Sequence, residues 1–184
     1  ITLGDNSTFA LARGNSATNA LNVSAGADYG VGTGSAASAN IGSDPYLVSA
    51  TLEARTALFN NQLNEGAVSA TSTNASYVVA LNDTTGNTLN NATIGVIGNS
   101  VAAGAYGNTA ISSLSLTPLN TAMPTAAVGN RQYNTSAITA QVTTVGYGIS
   151  SGVGAVSGSN LSVSANTISA TAIGNNATNA LLSN

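Results

Sequence analysis

Gly14-Asn15-Ser16-Ala17-Thr18-Asn19-Ala20-Leu21 returns later in the chain as Gly174-Asn175-Asn176-Ala177-Thr178-Asn179-Ala180-Leu181. Gly107-Asn108-Thr109-Ala110-Ile111 is a shorter echo between them. The order Gly-Asn occurs six times and Asn-Gly never. Working outward from these phrases, the glycines Gly66, Gly86, Gly107, Gly129, Gly152 and Gly174 follow one another at a nearly even spacing, roughly 22 residues. Such a period is what two strands of about seven to nine residues and two turns occupy. Asn87, Asn108, Asn130 and Asn175 stand directly behind four of these glycines, with Val153 the exception. The beginning of the chain fits less well, because the steps from Gly14 to Gly42 and from Gly42 to Gly66 are both longer. Residues 1–65 therefore read as an irregular N-terminal β region of the same domain, a cap or a donor segment. Residues 66–184 read as the regular β-repeat region.

Period-two alternation gives the secondary structure. Leu161, Val163 and Ala165 alternate with Ser162 and Ser164. In residues 46–58 the even positions Tyr46, Val48, Leu52 and Leu58 form a dry face, and Glu53 and Arg55 share the wet one. Turn chemistry then separates two all-β architectures. Two-residue hairpins favour Asn-Gly, Asp-Gly or Gly-Gly, and none of the three occurs. A β-solenoid instead turns at Gly, Asn and Ser and stacks each corner on a like one, so that asparagine amides bond along the axis at the ~4.8 Å strand spacing. The expected fold is thus an all-β, β-helix-like solenoid with coils of about 22 residues. Its coil corners are Gly14, Gly66, Gly86, Gly107, Gly129, Gly152 and Gly174, and its structural ladder is Asn15, Asn87, Asn108, Asn130 and Asn175. The alternative is a β-sandwich pilin-like subunit assembling by donor strand, with residues 1–12 as the donated strand.

Composition narrows the function. Ala, Gly, Ser, Thr and Asn make up about two-thirds of the 184 residues, while charged residues are 5% against a norm of roughly 25%. The chain has no Lys, His, Cys or Trp, so no thiolate or imidazole serves a metal or a nucleophile. Arg13, Arg55 and Arg131 are the whole positive charge and form no basic patch for nucleic acid. The six acids, Asp5, Asp28, Asp44, Glu53, Asp83 and Glu65, are scattered and give neither a calcium motif nor a repeated carboxylate pair. The chain reads as non-enzymatic, with no metal and no cofactor. The longest plainly apolar run is Tyr77-Val78-Val79-Ala80-Leu81, and a spanning helix needs about 20 residues. Low charge, absent Lys and abundant Asn, Thr and Gly fit an exported, cell-surface protein.

The repeat resembles a family. Curlin repeats have a period of about 22 residues, as short repeat units often do, and a Gly-x-Gly-Asn-x-Ala core. Gly104-Ala105-Tyr106-Gly107-Asn108-Thr109-Ala110 is similar to it with one extra spacing residue, and Gly14-Asn15-Ser16-Ala17 matches its second half. The stretch from Asn91 to Ala110 also looks like the repeats of secreted functional amyloids and holdfast-anchor proteins. Regular glutamines, part of the curlin pattern, are reduced here to Gln62, Gln132 and Gln141. Thr171-Ala172-Ile173-Gly174-Asn175-Asn176-Ala177 and Asn99-Ser100-Val101-Ala102 look like the shorter head repeats of trimeric autotransporter adhesins. The curlin-like resemblance implies a solenoid subunit of an extracellular fibre or surface anchor.

The expected function is a structural one: a secreted subunit that stacks on itself head to tail through strand pairing, in adhesion or biofilm matrix. Solenoid ends present unpaired N–H and C=O groups, and the last repeat carries no charge to block them. Matching ends favour open, head-to-tail association, which places Asn15 and Asn175 at subunit junctions. Further partners are a cell-surface polysaccharide or an outer-membrane anchor. The alternative is a non-catalytic adhesin module binding glycans on a surface of Tyr77, Tyr106 and Tyr133, whose rings are flat and amphipathic.

Overall fold

The computed structural model describes residues 1–23, 36–39, 50–53, 56–82, 86, 88–117, 126–152 and 154–183. Every regular element among them is a strand. The chain divides into two compact units, each assembled from three separate stretches. Unit 1 is Ile1–Ala12, Ser69–Ala105 and Thr139–Ala172, and unit 2 is Arg13–Val68, Tyr106–Ile138 and Ile173–Asn184.

Three strands of 17 residues run through both units: β2 (Ser7–Val23), β10 (Ser100–Leu116) and β16 (Thr167–Ser183), with β10 in the middle of one sheet. In unit 1, β1 (Thr2–Gly4), β9 (Thr93–Ile97) and β15 (Asn160–Ser164) form a parallel three-stranded sheet. The parallel pairs β7 (Ser76–Leu81) with β13 (Gly146–Ser151), and β8 (Thr88–Asn90) with β14 (Ala155–Ser157), belong to the same unit. Strand β6 (Val68–Thr73) pairs with β12 (Ile138–Thr143). In unit 2, β5 (Thr56–Asn64) pairs in parallel with β11 (Ala126–Asn134) over nine residues. The antiparallel hairpin of β3 (Ala36–Ala39) and β4 (Ala50–Glu53) belongs to the same unit. The architecture is all-β, with parallel strands in stacked sheets, as a solenoid-like fold requires. Residues 1–12, the donated strand of the pilin alternative, pair within the chain on β9 and β10.

Stacked partners are far apart in sequence. Thr2 lies beside Gly95, a separation of 93; Thr93 lies beside Asn160, at 67; Thr56 lies beside Ala126, at 70. Among the described strands, none pairs in parallel with a strand one glycine period away. The expected coil length is therefore corrected: the glycine period is about a third of the step between stacked strands. Gly107 backs onto Gly174, and Gly129 and Gly152 mark intermediate thirds. The larger step of 93 arises because the first turn carries more chain between β2 and β5, where the hairpin β3–β4 sits.

The corners also differ from expectation. Gly14, Gly107, Gly129 and Gly174 lie inside strands, while Gly66 and Gly152 lie in connections, as does Gly86 with φ of 74°. Most of the left-handed corners are made by other residues: Asp5, Gly98 and Ala165 in one column, Asn74 and Thr144 in a second, Asn91 and Gly158 in a third. Where a further level follows, the corner amide bonds into it: Asp5 N–H to Ile97 O at 3.1 Å, Gly98 N–H to Ser164 O at 3.2 Å, Asn74 N–H to Thr143 O at 3.1 Å and Asn91 N–H to Ser157 O at 3.0 Å. Gly, Asn and Asp tolerate positive φ, whereas Ala165 and Thr144 each carry strain of about 1 kcal/mol that the stacked neighbour holds in place.

Burial explains the Gly-Asn phrase. On β10 the buried side chains are Val101, Ala103 and Ala105, then Asn108, Ala110, Ser112, Leu114 and Leu116. The alternation skips a beat at Tyr106-Gly107, so the buried positions pass from odd to even. A Cβ on Gly14 would stand 2.5 Å from Gly107 O, and one on Gly107 would strike Gly174 O. The backbones therefore touch where the face changes, and only glycine permits it.

Candidate functional site

The candidate site is the set of amide columns and the strand edges that end them. In unit 1 the column is Asn6, Asn99 and Asn166, each directly after a left-handed corner. Asn6 Nδ2 donates to Asn99 Oδ1 at 2.8 Å, and Asn99 Nδ2 donates to Asn166 Oδ1 at 3.0 Å. The same oxygens accept the backbone N–H of the residue in the neighbouring turn, at 3.2 and 2.9 Å. Asn99 is wholly buried, and its amide is satisfied on both sides. The sequence reading missed this column, although its members keep the same steps, 93 and then 67, as Asn15, Asn108 and Asn175.

Unit 2 holds the richer network. Asn15 Nδ2 donates to Asn108 Oδ1 at 2.9 Å, and Asn108 Nδ2 donates to Asn175 Oδ1 at 3.0 Å. Facing them, β5 and β11 carry the same pattern, Asn60-x-Gln62-x-Asn64 and Asn130-x-Gln132-x-Asn134, in register. Asn60 Nδ2 donates to Asn130 Oδ1 at 2.6 Å, and Gln132 Nε2 donates to Gln62 Oε1 at 2.7 Å. Cross-bonds join the two sides: Asn19 Nδ2 to Asn60 Oδ1, Asn130 Nδ2 to Asn179 Oδ1, Asn134 Nδ2 to Asn175 Oδ1, and Asn108 Nδ2 to Tyr133 O. Buried amides cost free energy unless bonded, and here the interior is a lattice of them. Two gaps stand out among the described residues: Ser112, fully buried between Asn19 and Asn179 in the long sheet, has no partner for its hydroxyl, and the buried Nδ2 and Oδ1 of Asn61 on β5 have none either.

Of the proposed ladder, Asn15, Asn108 and Asn175 share one column, Asn130 stacks in another on Asn60, and Asn87 lies outside the described residues. Of the three tyrosines, Tyr77 belongs to unit 1, and Tyr106 and Tyr133 to unit 2. In unit 1, Tyr77 stacks on Tyr147, with ring centroids 5.7 Å apart and planes 11° from parallel. Tyr77 Oη and Thr8 Oγ1 share a hydrogen bond of 2.6 Å, and the Tyr147 hydroxyl donates to Thr167 O at 2.7 Å. Partial burial, with the nearby Tyr77, raises the Tyr147 phenol above its ordinary value. In unit 2, Tyr106 on β10 lies under the Arg13 guanidinium at 5.9 Å, and Tyr133 on β11 is exposed.

Among the described strands, β2 and β16 have one open edge each, and so do β5 and β11. No helix among the described residues is long and apolar enough to cross a membrane. The fold and its columns define a class, an all-β protein of stacked parallel strands with an amide-bonded interior. No family model, no curated protein and no solved structure matches the chain.

Proposed function

We propose that the chain is a non-catalytic structural subunit of an extracellular bacterial fibre or surface anchor, assembling head to tail through strand pairing and serving adhesion or biofilm matrix. The observation that carries this reading is that the amide columns end on open strand edges. Asn15 stands on one edge strand of the long sheet and Asn175 on the other, with Asn108 between them. The β16 edge carries no charge. An open edge of this kind is a template for another strand, and a column of identical amides repeats without limit at the strand spacing. The curlin-like Gly-Asn phrases and the near absence of charge support an exported, persistent material. Partners beyond a second copy are a cell-surface polysaccharide or an outer-membrane anchor. A concentration series of the purified chain, followed by light scattering and electron microscopy, tests this. Filaments with a ~4.8 Å meridional repeat are expected. A chain that stays monomeric at every concentration would overturn the proposal, and sugar binding by that monomer would move it to the glycan-binding adhesin class.

A further inference from the structure

Resting on that self-assembly reading, we infer that the C-terminal strands β15 and β16 are exchangeable stand-ins for β1 and β2 of a second copy, so that assembly proceeds by displacing them. In unit 2 the long sheet has three strands and the facing sheet two. Strands β2 and β5 belong to one level, because Asn15 Nδ2 bonds to Leu63 O and Asn19 to Asn60. A second copy laid with its β2 upon β16 would thus hold its β5 two strand spacings, ~9.6 Å, from β11, with one strand's width left open between them. The open edge of β11 would then face that empty slot.

Placing the second copy's β2 where β16 now lies removes the slot. Its β5 then lands on β11 in the register already used inside the chain, with Asn60 on Asn130, Gln62 on Gln132 and Asn64 on Asn134. The long sheet keeps its bonds through the exchange, because the two strands present the same groups to β10. Gly14 replaces Gly174 where Gly107 admits no Cβ, and Asn15 replaces Asn175 as acceptor for Asn108. Asn19 replaces Asn179 as acceptor for Asn130, and Leu21 replaces Leu181. In unit 1 the incoming β1 takes the place of β15 on β9, with Leu3 for Val163 beside Val96 and Asn6 for Asn166 beside Asn99. What is gained is the ladder between β11 and the incoming β5, including a Gln62 amide for Gln132 Oε1. The displaced strands are edge strands and are uncharged. Both favour their release.

A reversible lock tests this in the full chain, which has no cysteine of its own. Ile111 and Thr178 are both exposed, and lie side by side, three positions beyond the bonded pair Asn108 and Asn175. Neighbouring strand positions suit a disulfide. The double variant Ile111→Cys/Thr178→Cys is expected to elongate at least about ten-fold more slowly when oxidised, and at the parental rate when reduced. A second lock, Thr18→Cys/Ile111→Cys, ties β2 to its own β10 and should elongate normally in both states. Equal rates for the oxidised and reduced first lock would overturn the exchange while leaving self-assembly standing. If neither the parent nor the reduced lock forms filaments, the self-assembly reading falls and the exchange with it.

Discussion

Replacing Asn108 by alanine should destabilise the protein more than any other single truncation in the amide columns. Asn108 is fully buried in the middle strand of its sheet. Its Oδ1 accepts from Asn15, and its Nδ2 reaches Tyr133 O at 2.9 Å, Asn175 Oδ1 at 3.0 Å and Asn134 Oδ1 at 3.2 Å. After truncation Asn15 keeps Leu63 O, and Asn175 keeps Asn134 as donor. Tyr133 O loses the amide donor it has from this side chain. A net hydrogen bond contributes about 1 kcal/mol, and a buried group left unpaired costs about 1–3. The bond that Oδ1 accepts and the two that the amide's two hydrogens make, lost together, come to about 3 kcal/mol. Total stabilities run at about 5–15 kcal/mol, so this one side chain carries a large share.

Two comparisons in the same sheet isolate the cause. Asn15→Ala, on an edge strand that water reaches, should cost about 1 kcal/mol. Ser112→Ala removes a hydroxyl as deeply buried as Asn108 but without a partner, and should cost nothing or add up to about 1 kcal/mol. Equilibrium urea unfolding of the three variants measures this, as midpoint shifts at unchanged slope. If Asn108→Ala costs no more than Asn15→Ala, the columns are ornaments on a backbone-held fold and the reasoning is wrong. If Ser112→Ala costs as much as Asn108→Ala, burial rather than bonding carries the interior.

Two further outcomes follow. Gly107→Ala should prevent folding or cost several kcal/mol, because its Cβ would meet Gly174 O and stand 2.5 Å from Asn134 Oδ1; Gly86→Ala, with φ of 74° but open space, should cost about 1 kcal/mol. Circular dichroism melting curves of the two variants decide whether close approach or φ governs. Tyr147, whose phenol is held above its ordinary value, binds its proton more tightly folded than unfolded. Its contribution is therefore complete below the unfolded value near 10 and is lost as pH rises through and beyond it. Tyr147→Phe should remove part of that alkaline loss, and an unchanged pH–stability curve above pH ~10 would count against it.

The stacked, all-strand character was legible because Gly14–Leu21, Gly107–Ile111 and Gly174–Leu181 are three levels of one sheet and repeat one phrase. The step between levels was not. Gly129 and Gly152 split the interval from Gly107 to Gly174 into near-equal thirds, and nothing local distinguishes a third of a turn from a whole one. Asn130-x-Gln132-x-Asn134 follows Gly129, but Asn60-x-Gln62-x-Asn64, one full level before it, has Phe59 where the glycine would stand, so the match does not follow the glycine period. The corners were hidden for another reason. Asp5, Asn74, Thr144 and Ala165 take positive φ because a neighbouring level imposes it, so the signal lies in the stack and not in the residue. The stacking of Tyr77 on Tyr147 was hidden in the same way, because the two stand 70 residues apart on neighbouring levels.

The polar interior links this architecture to self-recognition. An interior of leucine and phenylalanine tolerates rearrangement, because apolar contacts have no direction. Asn108, Asn130 and Gln132 do have direction: their donors meet their oxygens in one register, and a slip of one residue turns every amide to the other face and leaves it unpaired. A chain built from small residues gains little from bulk, so these bonds supply what bulk does not, and they do so only in one register. The same rule governs the ends. A strand arriving at β10 or β11 is held if it brings Gly-Asn or Asn-x-Gln-x-Asn at the right spacing, and the described segments of this chain that do so are its own β2, β5, β11 and β16 and the middle of β10. In the proposed assembly, selectivity for a second copy would need no charge, no metal and no dedicated binding residue, because the column that holds the fold together would also read the partner.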